Sequence, residues 1–188
     1  MHADSWALKA KKLGYRSRAV FKLEEILNKL NRKKSFKNVL DLGSAPGGWS
    51  QYISVNFPDT NIIAIDILDM KPIEKVTFIK DSVENIENID AVKTIKGRFD
   101  LVISDIAPNL TGIRSVDDEN IFELNLKAIN IANKYLKDTS AAMIIKTFQN
   151  NNLKSLRKHM ELFFKIVQTY KPAASKKQSG EIYLYGVK

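Results

Sequence analysis

Residues Asp41-Leu-Gly-Ser-Ala-Pro-Gly-Gly-Trp-Ser-Gln51 follow the apolar Asn38-Val-Leu40 and lead directly into a helical pattern. The stretch reads as strand, glycine-rich turn and helix, which commits the chain to an α/β arrangement. Gly43, Gly47 and Gly48 carry no Cβ, so the backbone N–H groups of such a turn can approach a ligand closely. The spacing is G-x-x-x-G-G, not the G-x-G-x-x-G of turns that cradle a pyrophosphate. The next apolar run, Asn61-Ile-Ile-Ala-Ile-Asp66, ends in a carboxylate where the ribose hydroxyls of a nucleoside would be accepted. These features predict an adenosyl ligand without a pyrophosphate, and S-adenosylmethionine (SAM) fits that description.

Beyond this unit, apolar runs and helical patterns alternate. Candidate strands are 38–43, 61–67, 76–80, 99–105, 141–148, 165–171 and 182–187, and candidate helices are 47–57, 84–95, 118–137 and 152–164. An amphipathic helix over 16–31 precedes them, with Val20, Leu23, Ile26, Leu27 and Leu30 on its apolar face. Such alternation predicts a mostly parallel, seven-stranded sheet with helices on both faces. No helix separates the last two strands, so they form a hairpin-like pair and one strand runs antiparallel. The polar loop at 172–180 between them is expected to be mobile. At 188 residues the chain suits a single domain.

Charge is segregated. Residues 1–37 hold eleven Lys or Arg against three acids, residues 38–149 eleven against sixteen, and residues 150–188 eight against two. A catalytic body with two basic ends is expected of a protein that grips a polyanion. There are no cysteines, which excludes disulfides, thiolate metal sites and a cysteine nucleophile. With only His2 and His159, a histidine-rich metal site is not expected, and His159 is expected to face solvent. No apolar run approaches the roughly 20 residues of a membrane span, and Met1 to Leu13 has no signal-peptide pattern. A soluble intracellular protein without membrane contact is therefore expected.

Two charges end apolar runs. Lys146 lies within Ala141-Ala-Met-Ile-Ile-Lys-Thr-Phe148, and Asp105 closes Phe99-Asp-Leu-Val-Ile-Ser-Asp105. An ammonium in a buried strand is costly unless it is paired or stands at the exposed carboxyl end, where open α/β sheets bind their ligands. A shared site for Lys146 and Asp105 follows. The alternatives are a solvent-facing lysine on an edge strand and an aspartate capping the turn before Pro108. Taken alone, Lys22 and Glu181 are unremarkable.

Arg16-Ser-Arg-Ala-Val-Phe-Lys-Leu23, Asp41 to Gln51, Ser104-Asp-Ile-Ala-Pro-Asn109, Ile145-Lys-Thr-Phe148 and Ser179-Gly-Glu-Ile-Tyr183 occur in one order and span nearly the whole chain. Together they resemble the FtsJ/RrmJ family of SAM-dependent RNA ribose 2′-O-methyltransferases. The resemblance implies a Rossmann-like methyltransferase fold and a catalytic Lys–Asp–Lys–Glu tetrad at Lys22, Asp105, Lys146 and Glu181. It also implies cofactor contacts at Gly47, Trp49, Asp66, Asp81 and Asp105. Gly43, Ser44, Pro46, Gly48 and Ile67, in the same turn and strand end, complete the candidate cofactor set. One departure is Gly180 before Glu181, where many relatives carry a larger residue.

A ribose 2′-hydroxyl is a poor nucleophile, whereas a sulfonium methyl is already activated. Alignment for in-line attack and help with one proton then suffice. Lys146 would act either as the base or as a cation that orients the hydroxyl, and neither role requires a metal. Lys9, Lys11, Lys12, Arg16 and Arg18 adjoin Lys22 in sequence, and Lys176 and Lys177 adjoin Glu181. This predicts a phosphate track leading to the site. The expected substrate is a uridine ribose in large-subunit ribosomal RNA, or in the assembled large ribosomal subunit, handled by a monomer. The competing readings are a tRNA 2′-O-methyltransferase and an RNA-binding assembly factor with incidental methyl transfer. The pattern also suits a mitochondrial or other organellar member, although no arginine-rich leader is visible.

Overall fold

The computed structural model describes residues 5–30, 35–176 and 178–188. One sheet contains β1 (Asn38–Leu42), β2 (Asn61–Asp66), β3 (Val76–Lys80), β4 (Leu101–Ser104), β5 (Ala142–Phe148), β6 (Ile166–Tyr170) and β7 (Glu181–Val187). The spatial order is β3-β2-β1-β4-β5-β7-β6. β7 is antiparallel to both its neighbours, and the remaining pairs are parallel. β7 is thus the antiparallel strand that the helix-free connection predicts.

The alternation of side chains along each strand divides the core in two. Leu40, Leu42, Ile63, Ile65, Met143 and Ile145 pack on one face of the sheet. They meet α4 (Asp90–Lys93), α5 (Arg114–Tyr135) and α6 (Leu153–Glu161) through Val92, Ala128, Ile129, Ala132, Leu156 and Met160. On the opposite face, Val39, Ile62, Ile103, Ile144 and Tyr183 meet α2 (Ala19–Lys29) and α3 (Gly48–Asn56) through Val20, Leu23, Ile26, Leu27, Trp49 and Ile53. With both faces covered, the central strands are mostly apolar, with the buried Asp41 in β1 and Lys146 near the end of β5 as the charged exceptions, and each fully buried Leu or Ile contributes about 1.5–3 kcal/mol.

Strand order reverses between β1 and β4, which opens a crevice at their carboxyl ends. β7 runs the other way, so its first residue lies at that same edge: Glu181 pairs in register with Phe148, and Tyr183 with Lys146.

Several elements depart from the sequence reading. The expected helix over 84–95 is a 3₁₀ turn, Val83–Asn88, followed by the short α4. Ile89 is buried in extended backbone between them and breaks the helix. An unexpected helix, α1 (Ser5–Lys12), forms because Trp6 packs on Phe21 with ring centroids 5.2 Å apart and Ala10 is buried. α5 begins earlier than expected because Asp117 reaches back to accept hydrogen bonds from Thr111 N, Thr111 Oγ1 and Gly112 N. His159 does not simply face solvent: it is half-buried, bonded to Asn130 Oδ1 at 2.9 Å and set edge-on against Phe163.

The 172–180 loop, expected to be mobile, is tied down at several points. Glu25 of α2 accepts from Tyr170 Oη and from Ala173 N, and Lys171 Nζ donates to Ser179 O. Asn31, the last residue of the expected helix over 16–31, lies outside the described residues, as does Lys177.

Candidate active site

A cavity of about 520 Å³ opens at the carboxyl edge of the sheet beside β1, β2 and β4. That size suits a small-molecule site. Its polar wall contains Asp66, Asp81 and Asp105, and its apolar wall contains Ile67, Val83, Ile106 and Leu124. Asp66 Oδ2 accepts from Ala45 N and Oδ1 from Leu68 N, each at 2.8 Å, so the carboxylate is locked by backbone amides of two segments. Asp81 Oδ1 is held by Ser82 N and Asn85 Nδ2. A carboxylate held this way keeps further lone pairs for a ligand's hydroxyl or amino donors.

Two of the turn's glycines are also required by the protein's own packing. A Cβ on Gly47 would meet Ile73 Cδ1 at 2.7 Å and Met70 Sδ at 2.8 Å, and one on Gly48 would meet Ser17 Oγ at 2.2 Å. The absence of a Cβ at these two glycines admits the protein's own neighbours. Gly43 lines the large cavity, and the backbone of Ile106 passes where its Cβ would be. Ser44, Pro46, Gly48 and Trp49 line a separate narrow cavity of about 20 Å³ that they share with Asp41 and Asp105. Trp49 is buried, with Nε1 donating to Ala19 O at 2.8 Å and its ring 5.8 Å from that of Tyr183.

Beside the large cavity, the four tetrad positions form two ion pairs. Lys146 Nζ lies 3.0 Å from Asp105 Oδ1 and also donates to Asp105 O at 2.6 Å. Lys22 Nζ lies 2.7 Å from Glu181 Oε1. Lys22, anonymous in the sequence, is 6% exposed and buried on the inner side of α2. Tyr183 bridges the pairs, its hydroxyl 3.5 Å from Asp105 Oδ1 and 3.3 Å from Glu181 Oε1. Ser175 Oγ donates to the same Glu181 oxygen at 2.8 Å. Sequence reasoning missed Tyr183 and Ser175 as site residues; for Tyr183, its place two residues after Glu181 on an alternating strand was the available signal.

The electrostatics follow from burial and pairing. Burial works to raise the Glu181 carboxyl, but hydrogen bonding and charge from Lys22, with help from Ser175 and Lys146, hold it below the usual carboxylate range. Burial, then the charges of Asp105 and Glu181, push the Tyr183 phenol far above its ordinary value, so it remains a donor. Asp41, wholly buried in β1, is pushed up to about 7 by burial against the hydrogen bond from Ser50 Oγ. Among the described residues its Oδ1 has no hydrogen-bond partner, nor does the buried Ser44 Oγ beside it.

The basic residues expected along an RNA track separate into distinct groups. Lys9, Lys11 and Lys12 are exposed on α1, with the Lys9 ammonium over the Trp6 and Phe21 rings. Lys176 is exposed, and Arg18 is partly buried at the start of α2. Arg16 is committed elsewhere: its guanidinium donates to the carbonyls of Pro46, Lys71 and Pro72. Among the described residues there is no cluster of acids and histidines placed to hold a metal ion. No helix among them is long and apolar enough to cross a membrane.

Known proteins resemble this chain in sequence and fold. Ribosomal RNA large subunit methyltransferase E of Wigglesworthia glossinidia brevipalpis is 38% identical over 187 residues, covering 99% of this chain and 92% of that one. Its namesake in Coxiella burnetii is 39% identical over 188 residues, covering 96% and 88%. A solved structure of a ribosomal RNA methyltransferase from Plasmodium falciparum superposes with a TM-score of 0.79 at 30% identity, covering 92% of this chain and 97% of that one. A Burkholderia thailandensis methyltransferase with bound S-adenosylhomocysteine, 14% identical with a TM-score of 0.63, shares the fold. The sheet is thus the Rossmann-like sheet of SAM-dependent methyltransferases. The FtsJ-like methyltransferase profile matches residues 15–188, and the chain belongs to that family.

Proposed function

We propose that this protein transfers a methyl group from SAM to a ribose 2′-hydroxyl of large-subunit ribosomal RNA, with uridine as the expected nucleoside. The observation that carries the reading is the convergence of Lys146–Asp105 and Lys22–Glu181 beside a nucleoside-sized cavity. The names of its relatives support the ribosomal substrate.

The residues lining the large cavity fit the cofactor. Asp66 would hold the ribose hydroxyls, Asp81 the adenine amino group, and Ile67, Val83, Ile106 and Leu124 would flank the ring. When bound, SAM supplies a methyl already activated by its sulfonium centre. Lys146 is a three-donor ammonium with two donors directed to Asp105, which leaves the third for the incoming 2′-hydroxyl. In that role Lys146 orients the hydroxyl and stabilises the developing alkoxide. Asp105 Oδ1 faces Lys146 and Tyr183, so Oδ2 is the oxygen available to take the hydroxyl proton. Lys22 and Tyr183 hold Glu181 in place.

The test is transfer of labelled methyl from SAM to separate pools of large ribosomal subunits, naked ribosomal RNA and tRNA. Label in large-subunit RNA that is lost in Lys146→Ala is the expected result. Label confined to tRNA would overturn the substrate, and no label in any pool despite SAM binding would overturn the enzymatic reading.

A further inference from the structure

Arg16 belongs by sequence to the basic segment that adjoins Lys22, where a phosphate contact is the obvious expectation. Its side chain is directed elsewhere. Nη1 donates to Pro46 O at 3.3 Å and to Lys71 O at 2.6 Å, and Nη2 donates to Pro72 O at 2.6 Å. Pro46 belongs to the glycine-rich turn, whereas Lys71 and Pro72 belong to the segment that leaves β2 after Asp66. A planar guanidinium presents its donors as a rigid fork, so one side chain spans the two segments.

The backbone of the same residue is anchored too. Arg16 N donates to Gln51 Oε1 at 3.0 Å, and Gln51 Nε2 donates to Gly14 O at 2.9 Å. Packing around the clamp is close: a Cβ on Gly47 would come within 3.2 Å of Arg16 Nη1, as well as colliding with Met70 and Ile73.

These two segments are also walls of the large cavity. Gly43 and Ala45 stand on one side, and Asp66, Ile67 and Leu68 on the other. Asp66 ties them from within by accepting from Ala45 N and Leu68 N. Arg16 ties them a second time, from the outside.

We propose that Arg16 is a positioning residue of the cofactor site, fixing the separation of the glycine-rich turn from the segment after β2, and that it is not a phosphate contact. The proposal rests on the reading of that cavity as the SAM site. Its three hydrogen bonds end on carbonyls, which attract a fixed fork of donors but do not attract charge as a phosphate does. Lysine in this position keeps the charge and loses the span, which separates the two roles.

The experiment compares wild type, Arg16→Lys and Arg16→Ala by three readouts. These are SAM affinity without RNA, the salt dependence of RNA binding, and hydrogen exchange of the Ala45 and Leu68 amides. The expected result is a roughly tenfold weaker SAM Kd in both variants, about 1.4 kcal/mol at 25 °C. Exchange at both amides accelerates, and the slope of log K for RNA against log salt is unchanged. Recovery of wild-type SAM affinity and exchange by Arg16→Lys would overturn the proposal. So would an unchanged SAM Kd in Arg16→Ala together with a salt slope reduced by about 1, the mark of a lost phosphate contact. If Arg16→Ala does not fold, Arg16→Lys decides alone. If wild type itself binds no SAM, the reading of the cavity fails, while exchange at Ala45 and Leu68 still decides the clamp: acceleration supports it and no change refutes it.

Discussion

The two halves of the sheet's carboxyl edge hold their acids by different means. Beside β1, β2 and β3, Asp66 and Asp81 are fixed mainly by backbone amides, with Asn85 the one side-chain partner among the described residues. Beside β4, β5 and β7, Asp105 and Glu181 are fixed by the lysines Lys146 and Lys22, with Tyr183 between them. An amide-held carboxylate is fixed in place with lone pairs to spare, which suits recognition of a ligand that brings its own donors. A lysine-held carboxylate belongs to a pair whose unused donors and acceptors can be shared with a reacting hydroxyl. The first arrangement binds, and the second aligns and moves a proton.

Substitutions in each half should therefore separate binding from turnover. Lys146→Ala is expected to lower kcat by roughly 10²–10³-fold, the cost of losing a donor to a developing oxyanion, while changing SAM Kd by less than about threefold. Turnover would be followed by methyl transfer and affinity by calorimetry. Asp66→Ala should do the reverse, weakening SAM by roughly tenfold or more, because it removes an acceptor for the ligand and releases the two amides that shape the cavity. A Lys146→Ala protein that lost SAM binding as severely as turnover would break the distinction.

Smaller effects sharpen it through pH. Glu181→Gln removes one partner of an ion pair whose side chains are 7% and 16% exposed, at a cost of roughly 1–3 kcal/mol. The folded carboxyl sits below its ordinary 4.5, so its stabilising contribution is present above that value and lost as pH falls through the folded value. The melting-temperature gap between wild type and Glu181→Gln should therefore narrow on acidification below 4.5. Asp41 has the opposite sign. Its carboxyl, ordinarily at 3.8, holds its proton up to about 7 in the folded protein, while the unfolded chain has already released it. Stability is lost as pH rises through that window, by up to about 1.4 kcal/mol per pH unit. Asp41→Asn should thus improve relative to wild type between pH 5 and pH 7, read from thermal melts. The smallest effect belongs to the exposed pair Lys127–Glu84, where Lys127→Ala should leave the melting temperature close to wild type.

The same contrast explains what the sequence made legible. The amide-held half was readable because its geometry is local: a strand, a glycine-rich turn and an acid ending the next strand all lie within a short stretch. Asp105 and Lys146 were readable because a charge at the end of an apolar run is conspicuous in itself. Lys22 and Glu181 were not, since their pairing depends on α2 packing beside β7, and only the family resemblance identified them. Tyr183 was hidden because an aromatic in a buried strand resembles any other core residue until its hydroxyl partners are known. The clamp made by Arg16 was hidden for a related reason: its partners, Pro46, Lys71 and Pro72, are backbone carbonyls, which leave no mark on side-chain patterns. The tethered loop at 172–175 was likewise invisible, because Glu25 looks like one more solvated residue on a basic helix.

Alkaline hydrolysis of large-subunit RNA methylated by this protein tests the central claim most directly, since a methylated 2′-oxygen can no longer attack the neighbouring phosphate. Recovery of the label in an alkali-resistant dinucleotide, absent when Lys146→Ala is used, is the predicted result. Label released entirely as mononucleotides with methylated bases would contradict the account, because the ion pairs of Lys146 and Lys22 would then be aligning a different nucleophile.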